Sequence, residues 1–252
     1  MLNKKLYEKN SSVFSKYIAL TNQKQILVGE ITEKISKHFA LNYKKNLTLL
    51  DIGAGDGKVI VPIIENLKKK FDLRVICIEP SRDLINEIKK KTEFPISFIQ
   101  KNIEDIDLPK ADFILMAHLF GYIDNPQKEI QKVFKAINEN GLGLIVIDNN
   151  ESDDSKLRRQ VLHNYKNISE ELEEILATDK ISYEKETVKS EIDVSGCSTM
   201  NENGKTIISF LRHKIFSELK ELEVEELRSF ILKLAKNNKL TKIEDYLWIF
   251  KK

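Results

Sequence analysis

The chain has 252 residues, 41% of them hydrophobic, enough to bury one full core with decorations. Charged residues make up 32%, yet the formal net charge is only +2, which argues against a protein that grips a nucleic-acid backbone with a basic face. No apolar run is long enough to span a bilayer, the first residues lack the apolar stretch of a signal peptide, and Cys77 and Cys197 form no ligand-spaced cluster. The expectation is a reduced, cytoplasmic protein with no membrane segment and no metal.

Residues 1–46 read as an N-terminal helical cap. Its apolar set is Val13, Phe14, Tyr17, Ile18, Ile26, Leu27, Ile31 and Ile35, and the pattern breaks at Thr21-Asn22, an expected N-cap for a second helix. Residues 47–252 read as one domain. Leu47 to Ile52 is a short apolar run, expected as a buried strand. It stops at Gly53-Ala54-Gly55-Asp56-Gly57-Lys58, three glycines spaced two apart. Val59, Ile60, Ile63, Ile64 and Leu67 then form the apolar face of a helix. Strand, glycine turn and helix make the first unit of an open parallel sheet, whose ligands lie outside the carboxyl ends of the strands. Gly53 and Gly55 permit a tight turn and leave no side chain between the backbone and a bound molecule.

Leu73 to Ile78 is the second strand, ended by Glu79; Pro80 and Ser81 open a helix with Asp83 in its first turn. A carboxylate at this tip can accept hydrogen bonds from both ribose hydroxyls of a nucleoside. Ile96 to Ile99 is the third strand and leads into the polar loop Lys101-Asn102-Ile103-Glu104-Asp105. Ala111 to Ile123 is the fourth strand and its exit, and Pro126 suits a first helical position. The helix through Ile130, Val133, Phe134 and Ile137 is expected to end near Asn140-Gly141, before a fifth strand from Leu142 to Ile147. Beyond Asn150 the pattern is helical to Leu162 and again across 170–177, alternates from Ile181 to Val194, is helical over Thr206–Phe216 and Val224–Leu234, and ends in a strand from Tyr246 to Phe250. Strands alternating with helices predict a doubly wound, Rossmann-like α/β sheet. The lysine runs Lys68-Lys69-Lys70 and Lys89-Lys90-Lys91 fall at helix ends, where cations suit the dipole.

The glycine loop departs from the dinucleotide fingerprint. That pattern wants its third glycine where Lys58 stands, and Asp51 sits two positions before the first glycine, a carboxylate that suits a cationic ligand better than a pyrophosphate. Asp51 through Gly57 instead resembles motif I of the class I S-adenosylmethionine-dependent methyltransferases. The resemblance implies a seven-stranded sheet closed by an antiparallel strand pair. It places the cofactor at Asp51, Gly53, Ala54 and Gly55, at Glu79, Pro80 and Ser81, and at Ala117 and His118. In that family an acidic or amide side chain after the third strand reaches the adenine amino group; Asn102 matches the side-chain position and Ile103 the backbone one, with Glu104 and Asp105 as alternatives. The roughly 50 residues between the last two strands exceed any hairpin loop and imply a helical insertion, about 200–240, over the acceptor.

Along most of its length the chain is similar to the histamine N-methyltransferase-like small-molecule methyltransferases. The matching residues are Glu79-Pro80-Ser81, Asp112-Phe113-Ile114, Tyr122-Ile123, Asp193 to Cys197, Asn201 to Gly204 and Trp248-Ile249-Phe250. Where that family has a glutamine after the fourth strand this chain has His118; its acidic acceptor residue falls near Asn22 and its amide near Glu244. These departures point away from histamine toward another small amine-like acceptor. Tyr17, Asn22, Tyr122 and Glu244 are the candidate acceptor contacts. An amine must be neutral to attack a methyl group, and a histidine at position 118 suits the base, or else a hydrogen bond to the methionine moiety or backbone. Tyr122 suits orientation of the acceptor or a ring face for a cation. Glu244 would attract a cationic acceptor, or stand as a surface carboxylate before an edge strand. His38, His163 and His213 lie in helical stretches with no visible partners. An Asn/Asp-Pro-Pro-Tyr/Phe signature for planar nitrogens is absent at Ala117-His118-Leu119-Phe120. The expected function is methyl transfer from S-adenosylmethionine to a small molecule, with no nucleic-acid partner. O-methylation of a natural-product intermediate, a non-enzymatic cofactor-binding module and a nicotinamide-dependent oxidoreductase are the alternatives.

Overall fold

The computed structural model describes residues 13, 15–42, 44–162, 165 and 168–251; Phe14 and His163 lie outside them. Among the described residues seven strands are present: β1 (Asn46–Ile52), β2 (Asp72–Ile78), β3 (Ile96–Ile99), β4 (Ala111–Ala117), β5 (Ile137–Asp148), β6 (Tyr183–Asp193) and β7 (Lys239–Phe250). They form one sheet in the order β3-β2-β1-β4-β5-β7-β6. The pairs β1–β2, β1–β4, β2–β3 and β4–β5 are parallel. The helices are α1 (Gln23–Leu41), α2 (Ile60–Leu67), α3 (Arg82–Lys91), α4 (Pro126–Ala136), α5 (Asp153–Val161), α6 (Ser169–Thr178), α7 (Gly196–Thr199), α8 (Glu202–Arg212) and α9 (Glu221–Leu234). The last three lie between β6 and β7, as the predicted insertion requires. No helix of the described residues is long and apolar enough to cross a membrane.

The chain divides into two compact units. One comprises Lys24–Ile147, Glu170–Glu186 and Asp245–Lys252; the other comprises Met1–Gln23, Asp148–Ser169 and Thr187–Glu244. In the first, α2 buries Ile60, Ile63, Ile64 and Leu67, and β1 and β4 are apolar on both faces, as strands covered on both sides must be. Helix α1 buries Leu27, Ile31, Ile35 and Phe39 at four-residue spacing. The sheet order reverses at β1, which lies between β2 and β4, so the loops leaving β1 and β4 emerge side by side. In the second unit, Ile18, Leu157, Ile192, Ile207, Leu211, Leu227 and Ile231 belong to one apolar cluster.

Several boundaries differ from the sequence expectation. Helix α4 ends at Ala136, not near Asn140-Gly141, and Ile137 already pairs with Ala111 in the sheet. The cause is a polar knot at the start of β4. The Asn138 amide donates to Asp112 Oδ1 at 2.6 Å, the Thr48 N–H donates to Asp112 Oδ2 at 2.8 Å, and Lys44 Nζ lies 2.6 Å from Oδ1. Asn138 must leave the helix to reach this carboxylate. The helix expected over Thr206–Phe216 runs from Glu202 to Arg212, capped by the Asn201 side chain and ended by a left-handed His213. Strand β7 starts at Lys239, well before Tyr246, so Glu244 stands inside it, buried, in a strand flanked by β5 and β6. The surface, edge-strand reading of that carboxylate is corrected. His38 also has a partner, with Nε2 lying 2.9 Å from the Asn140 carbonyl.

Burial pushes the Asp112 carboxyl up, but Lys44, the Thr48 N–H and Asn138 outweigh it and hold it below its ordinary value. A depressed carboxyl stabilises the fold above its unfolded pKa, and that stability is lost as pH falls through the folded one. Asp112→Ala is therefore expected to cost about 2–3 kcal/mol at pH 7. The deficit should shrink in urea melts performed at progressively lower pH below about 4.

Candidate active site

The glycine loop is shaped by backbone bonds to the neighbouring strand. The Gly53 and Ala54 N–H groups both point at the Ile78 carbonyl, at 2.8 and 3.3 Å, and the Gly57 N–H donates to the Ala54 carbonyl at 3.1 Å. Gly53, Gly55 and Gly57 have φ of 76°, 57° and 78°, a region that favours glycine. Their surroundings differ. A Cβ on Gly53 would lie 3.1 Å from Leu119 Cδ1, while one on Gly57 would lie 2.9 Å from Ile88 Cγ1 of α3. Gly57 thus serves helix packing, and Gly53 faces the exit of β4.

Glu79 ends β2 and is 4% exposed. Its two oxygens accept the Gly55 N–H and the Ser81 N–H, each at 2.9 Å. Ser81 caps α3 by accepting from the Leu84 N–H. Pro80 is exposed, and its carbonyl accepts from Gln100. Asp51, one residue from the end of β1, is buried between Cys77 and Leu115 of the flanking strands. Burial, then the charge on Glu79, raises its carboxyl to about 7, with Lys24 opposing.

Lys24 escapes sequence pattern. It lies in the first turn of α1, which has no acidic residue, and its Nζ is 3.8 Å from Asp56 Oδ1. The one signal is that a cation at a helix N-terminus opposes the dipole, so another charge must hold it there. Lys58 and Lys91 also approach Asp56, at 3.3 and 3.2 Å.

The loop after β3 places Asn102 before a short 3-10 turn, Ile103–Asp105. Asn102 donates to Asp105 at 3.3 Å, Ile103 is buried, and Glu104 is half-buried. The turn is pinned from α4, where Lys132 Nζ donates to the Ile103 and Ile106 carbonyls at 2.6 and 3.1 Å and pairs with buried Glu129 at 2.7 Å. This pin also escapes the sequence reading; its signal is an acid on the buried face of α4, beside Ile130 and Val133.

Ala117 ends β4 paired with Val146, and His118 then turns left-handed, with φ of 57°. Its N–H donates to the Val146 carbonyl at 2.9 Å, and its side chain is half-buried. Leu119 follows against Gly53, and Tyr122, half-buried, closes a 3-10 turn by donating its N–H to the Leu119 carbonyl. One loop cluster therefore brings together Asp51, Gly53, Ala54, Gly55, Glu79 and the exit of β4.

Tyr17, Asn22 and Glu244 belong to the other unit, where each is engaged. Tyr17 is buried, stacks on Phe210 with centroids 3.6 Å apart, and donates to Asp154. Asp154 lies in a buried group with Lys242 and Arg158. The exposed Asn22 accepts the Glu191 N–H at 2.8 Å. Glu244 accepts a short hydrogen bond from Gln23.

A model of a methyltransferase domain matches residues 23–178. No curated protein sequence matches the chain. Among solved structures, the plantazolicin methyltransferase BpumL in complex with SAH is similar at 17% identity and a TM-score of 0.61, over 100% of this chain and 94% of that one. The same enzyme with a pentazolic desmethylPZN analog and SAH gives 16% and 0.62, over 100% and 95%. The YcgJ protein from Bacillus subtilis gives 15% and 0.55, over 83% and 93%. At these identities the likeness is one of fold.

The raised Asp51 fixes a sign. Between its ordinary value and about 7 the folded chain keeps a proton that the unfolded chain has lost, so this group's contribution falls as pH rises through about 7. Asp51→Asn is expected to match the wild type at low pH, where both side chains are neutral. At pH 8 it should be more stable, by on the order of 2–4 kcal/mol, in denaturant titrations of the ligand-free protein.

Proposed function

The chain belongs to the methyltransferase-domain family, and on that premise we propose that it moves the methyl group of S-adenosylmethionine to a small-molecule acceptor, at an amine nitrogen. The observation that carries this reading is the pair of buried carboxylates, Asp51 and Glu79, set against a left-handed glycine loop at the point where the sheet order reverses. The donor set fits the cofactor. Glu79 suits the ribose hydroxyls, since a carboxylate has about four acceptor sites and backbone N–H groups take two of them. Asp51 suits the cofactor's ammonium group. Asn102, Ile103 and Glu104 suit the adenine edge, on a turn fixed by Lys132. Ala54, Pro80, Ser81 and Ala117 complete the cofactor shell.

Bound S-adenosylmethionine supplies an electrophilic methyl carbon on a sulfonium. The chain's own residues have to hold the acceptor in line with it and exclude water. His118 is proposed to take the amine proton, and Tyr122 to orient the acceptor. The narrower likeness to histamine N-methyltransferase-like enzymes, carried by Glu79-Pro80-Ser81 and Tyr122-Ile123, supports an amine. A neighbour of the same fold is a plantazolicin methyltransferase, which supports an acceptor of natural-product type beside simple amines. Tyr17, Asn22 and Glu244 remain proposed acceptor contacts, each of which would have to share or exchange a present partner.

Incubation with methyl-labelled S-adenosylmethionine and a small-molecule extract should place label in an organic product whose new methyl sits on nitrogen. Label on oxygen would overturn the amine reading, and label in nucleic acid would overturn the small-molecule reading. Glu79→Ala should weaken S-adenosylmethionine and its demethylated product alike, by roughly 1.5–3 kcal/mol in calorimetry. His118→Asn keeps a residue that tolerates left-handed backbone and removes the base. Turnover should fall roughly 100-fold or more, with cofactor affinity nearly unchanged.

A further inference from the structure

A doubly wound sheet holds its ligand in the crevice where the strand order reverses, here between the exits of β1 and β4. The Leu119 side chain crosses that crevice. It leaves the exit of β4 and rests on Gly53 at the exit of β1. A Cβ on Gly53 would lie 3.1 Å from Leu119 Cδ1 and 3.7 Å from both Cδ2 and Cγ. The isobutyl end therefore covers the direction in which Gly53, lacking a side chain, offers its backbone to a ligand. Carbon atoms in contact sit about 3.5–4.0 Å apart, so a ligand atom laid on Gly53 from that side takes the place of Leu119.

The segment that carries Leu119 is loosely packed between two firm ends. Met116 and Phe120 are buried, whereas Ala117, His118 and Leu119 are half-buried. The His118 N–H is tied to the Val146 carbonyl at 2.9 Å, and the Tyr122 N–H is tied to the Leu119 carbonyl at 2.9 Å. Between these ties His118 has φ of 57°, a conformation that a residue with a Cβ holds against a local preference for right-handed or extended backbone. The packing of Leu119 on Gly53 opposes that preference. Displacing Leu119 removes the opposition, and so one movement joins the ligand crevice to the backbone of the proposed base. We infer that Leu119 is a positioning residue: it occupies the cofactor's place on Gly53 in the ligand-free protein, the cofactor displaces it on binding, and the displacement lets His118 leave the left-handed region. The imidazole is then set for the acceptor only when the methyl donor is present.

The inference rests on the cofactor and base assignments proposed above, and two measurements separate it from them. The probe is S-adenosylhomocysteine, the cofactor without its methyl group. A place held by Leu119 lowers the apparent affinity by the fraction of molecules in which it is vacated. Leu119→Ala vacates it permanently, and calorimetry should show binding tighter by roughly 5-fold or more. Leu119→Met conserves volume and should bind as the wild type does. A side chain that only walls the bound cofactor predicts the opposite sign for Leu119→Ala, because truncation removes contacts. The second readout is the backbone of His118. The chain has four histidines, so magnetic resonance of isotope-labelled histidine, with His118→Asn as the control, identifies the His118 Cα and Cβ signals, whose shifts follow φ. The ligand-free wild type should show left-handed values that move to right-handed or extended ones on saturation with the probe. Ligand-free Leu119→Ala should already have moved the same way. Weaker binding by a folded Leu119→Ala protein would overturn the inference. So would His118 signals that stay left-handed in the saturated wild type. If neither the wild type nor Leu119→Ala binds the probe, the cofactor assignment itself falls, and the inference with it.

Discussion

The glycine loop depends on one buried carboxylate. Glu79 sits at the tip of β2 and ties two backbone donors, one from the glycine loop after β1 and one from the residue that caps α3. Without it, the Gly55 and Ser81 N–H groups would need other partners in a buried site, and each such orphan costs about 1–3 kcal/mol. Burial raises the carboxyl above its ordinary value, and the two bonds offset only part of that rise. The same group that could read a ribose therefore fixes the geometry of the loop, which makes the site organised before any ligand arrives. That organisation has a cost, because a second acid is buried beside it. Asp51 is pushed to about 7 by burial and by the charge on Glu79. A carboxyl in that position favours a cationic partner.

Most of the sheet was legible in the sequence because its strands are covered on both faces. The mostly apolar runs at Leu47–Ile52 and Phe113–Met116 have no competing helical period, and the glycine loop between strand and helix is punctuation of the plainest kind. The Glu79 carboxylate was legible for the same reason, since it ends an apolar run. What escaped was polar and long-range. Helix α4 has no local reason to stop at Ala136; it stops because Asn138 is drawn to Asp112, a carboxylate from another strand. The early start of β7 was hidden because Lys242, Glu244 and Asp245 look solvated in sequence, yet each is buried with a partner. Binary patterning assigns charges to the surface, and it fails where charges are paired inside.

The same logic explains which of the contacts around the glycine loop the sequence suggests and which it hides. Asp51, Gly53, Gly55 and Glu79 lie at the junctions of one βα unit and the next, where chain order dictates proximity. Lys24 and Lys132 come from helices far away in sequence, Lys24 some thirty residues before the loop and Lys132 some thirty after the turn it pins. Neither has a motif, because a flexible ammonium can reach the same place from many positions. Each does break a local expectation, Lys24 by opposing the dipole of α1 and Lys132 through an acid partner on a buried helix face.

His118 shows how backbone and side chain divide the work at the exit of β4. A left-handed turn at a residue with a Cβ costs roughly 1–2 kcal/mol, and here it is held by the strand bond from His118 to Val146 and by Leu119 settling against Gly53. The absence of a side chain at Gly53 and the strain at His118 are thus two halves of one contact. A Cβ at Gly53 would sit 3.1 Å from Leu119, and moving Leu119 would release the turn. Histidine is among the few residues with a Cβ that adopt this backbone readily, so its identity is favoured before any chemistry is considered. Backbone preference alone would admit asparagine or aspartate equally well. What histidine adds is an imidazole able to exchange a proton near neutral pH, on a half-buried residue whose neighbour Leu119 rests against Gly53. The backbone requirement narrows the choice to a short set of residues, and proton exchange is the property by which histidine differs from the others in that set.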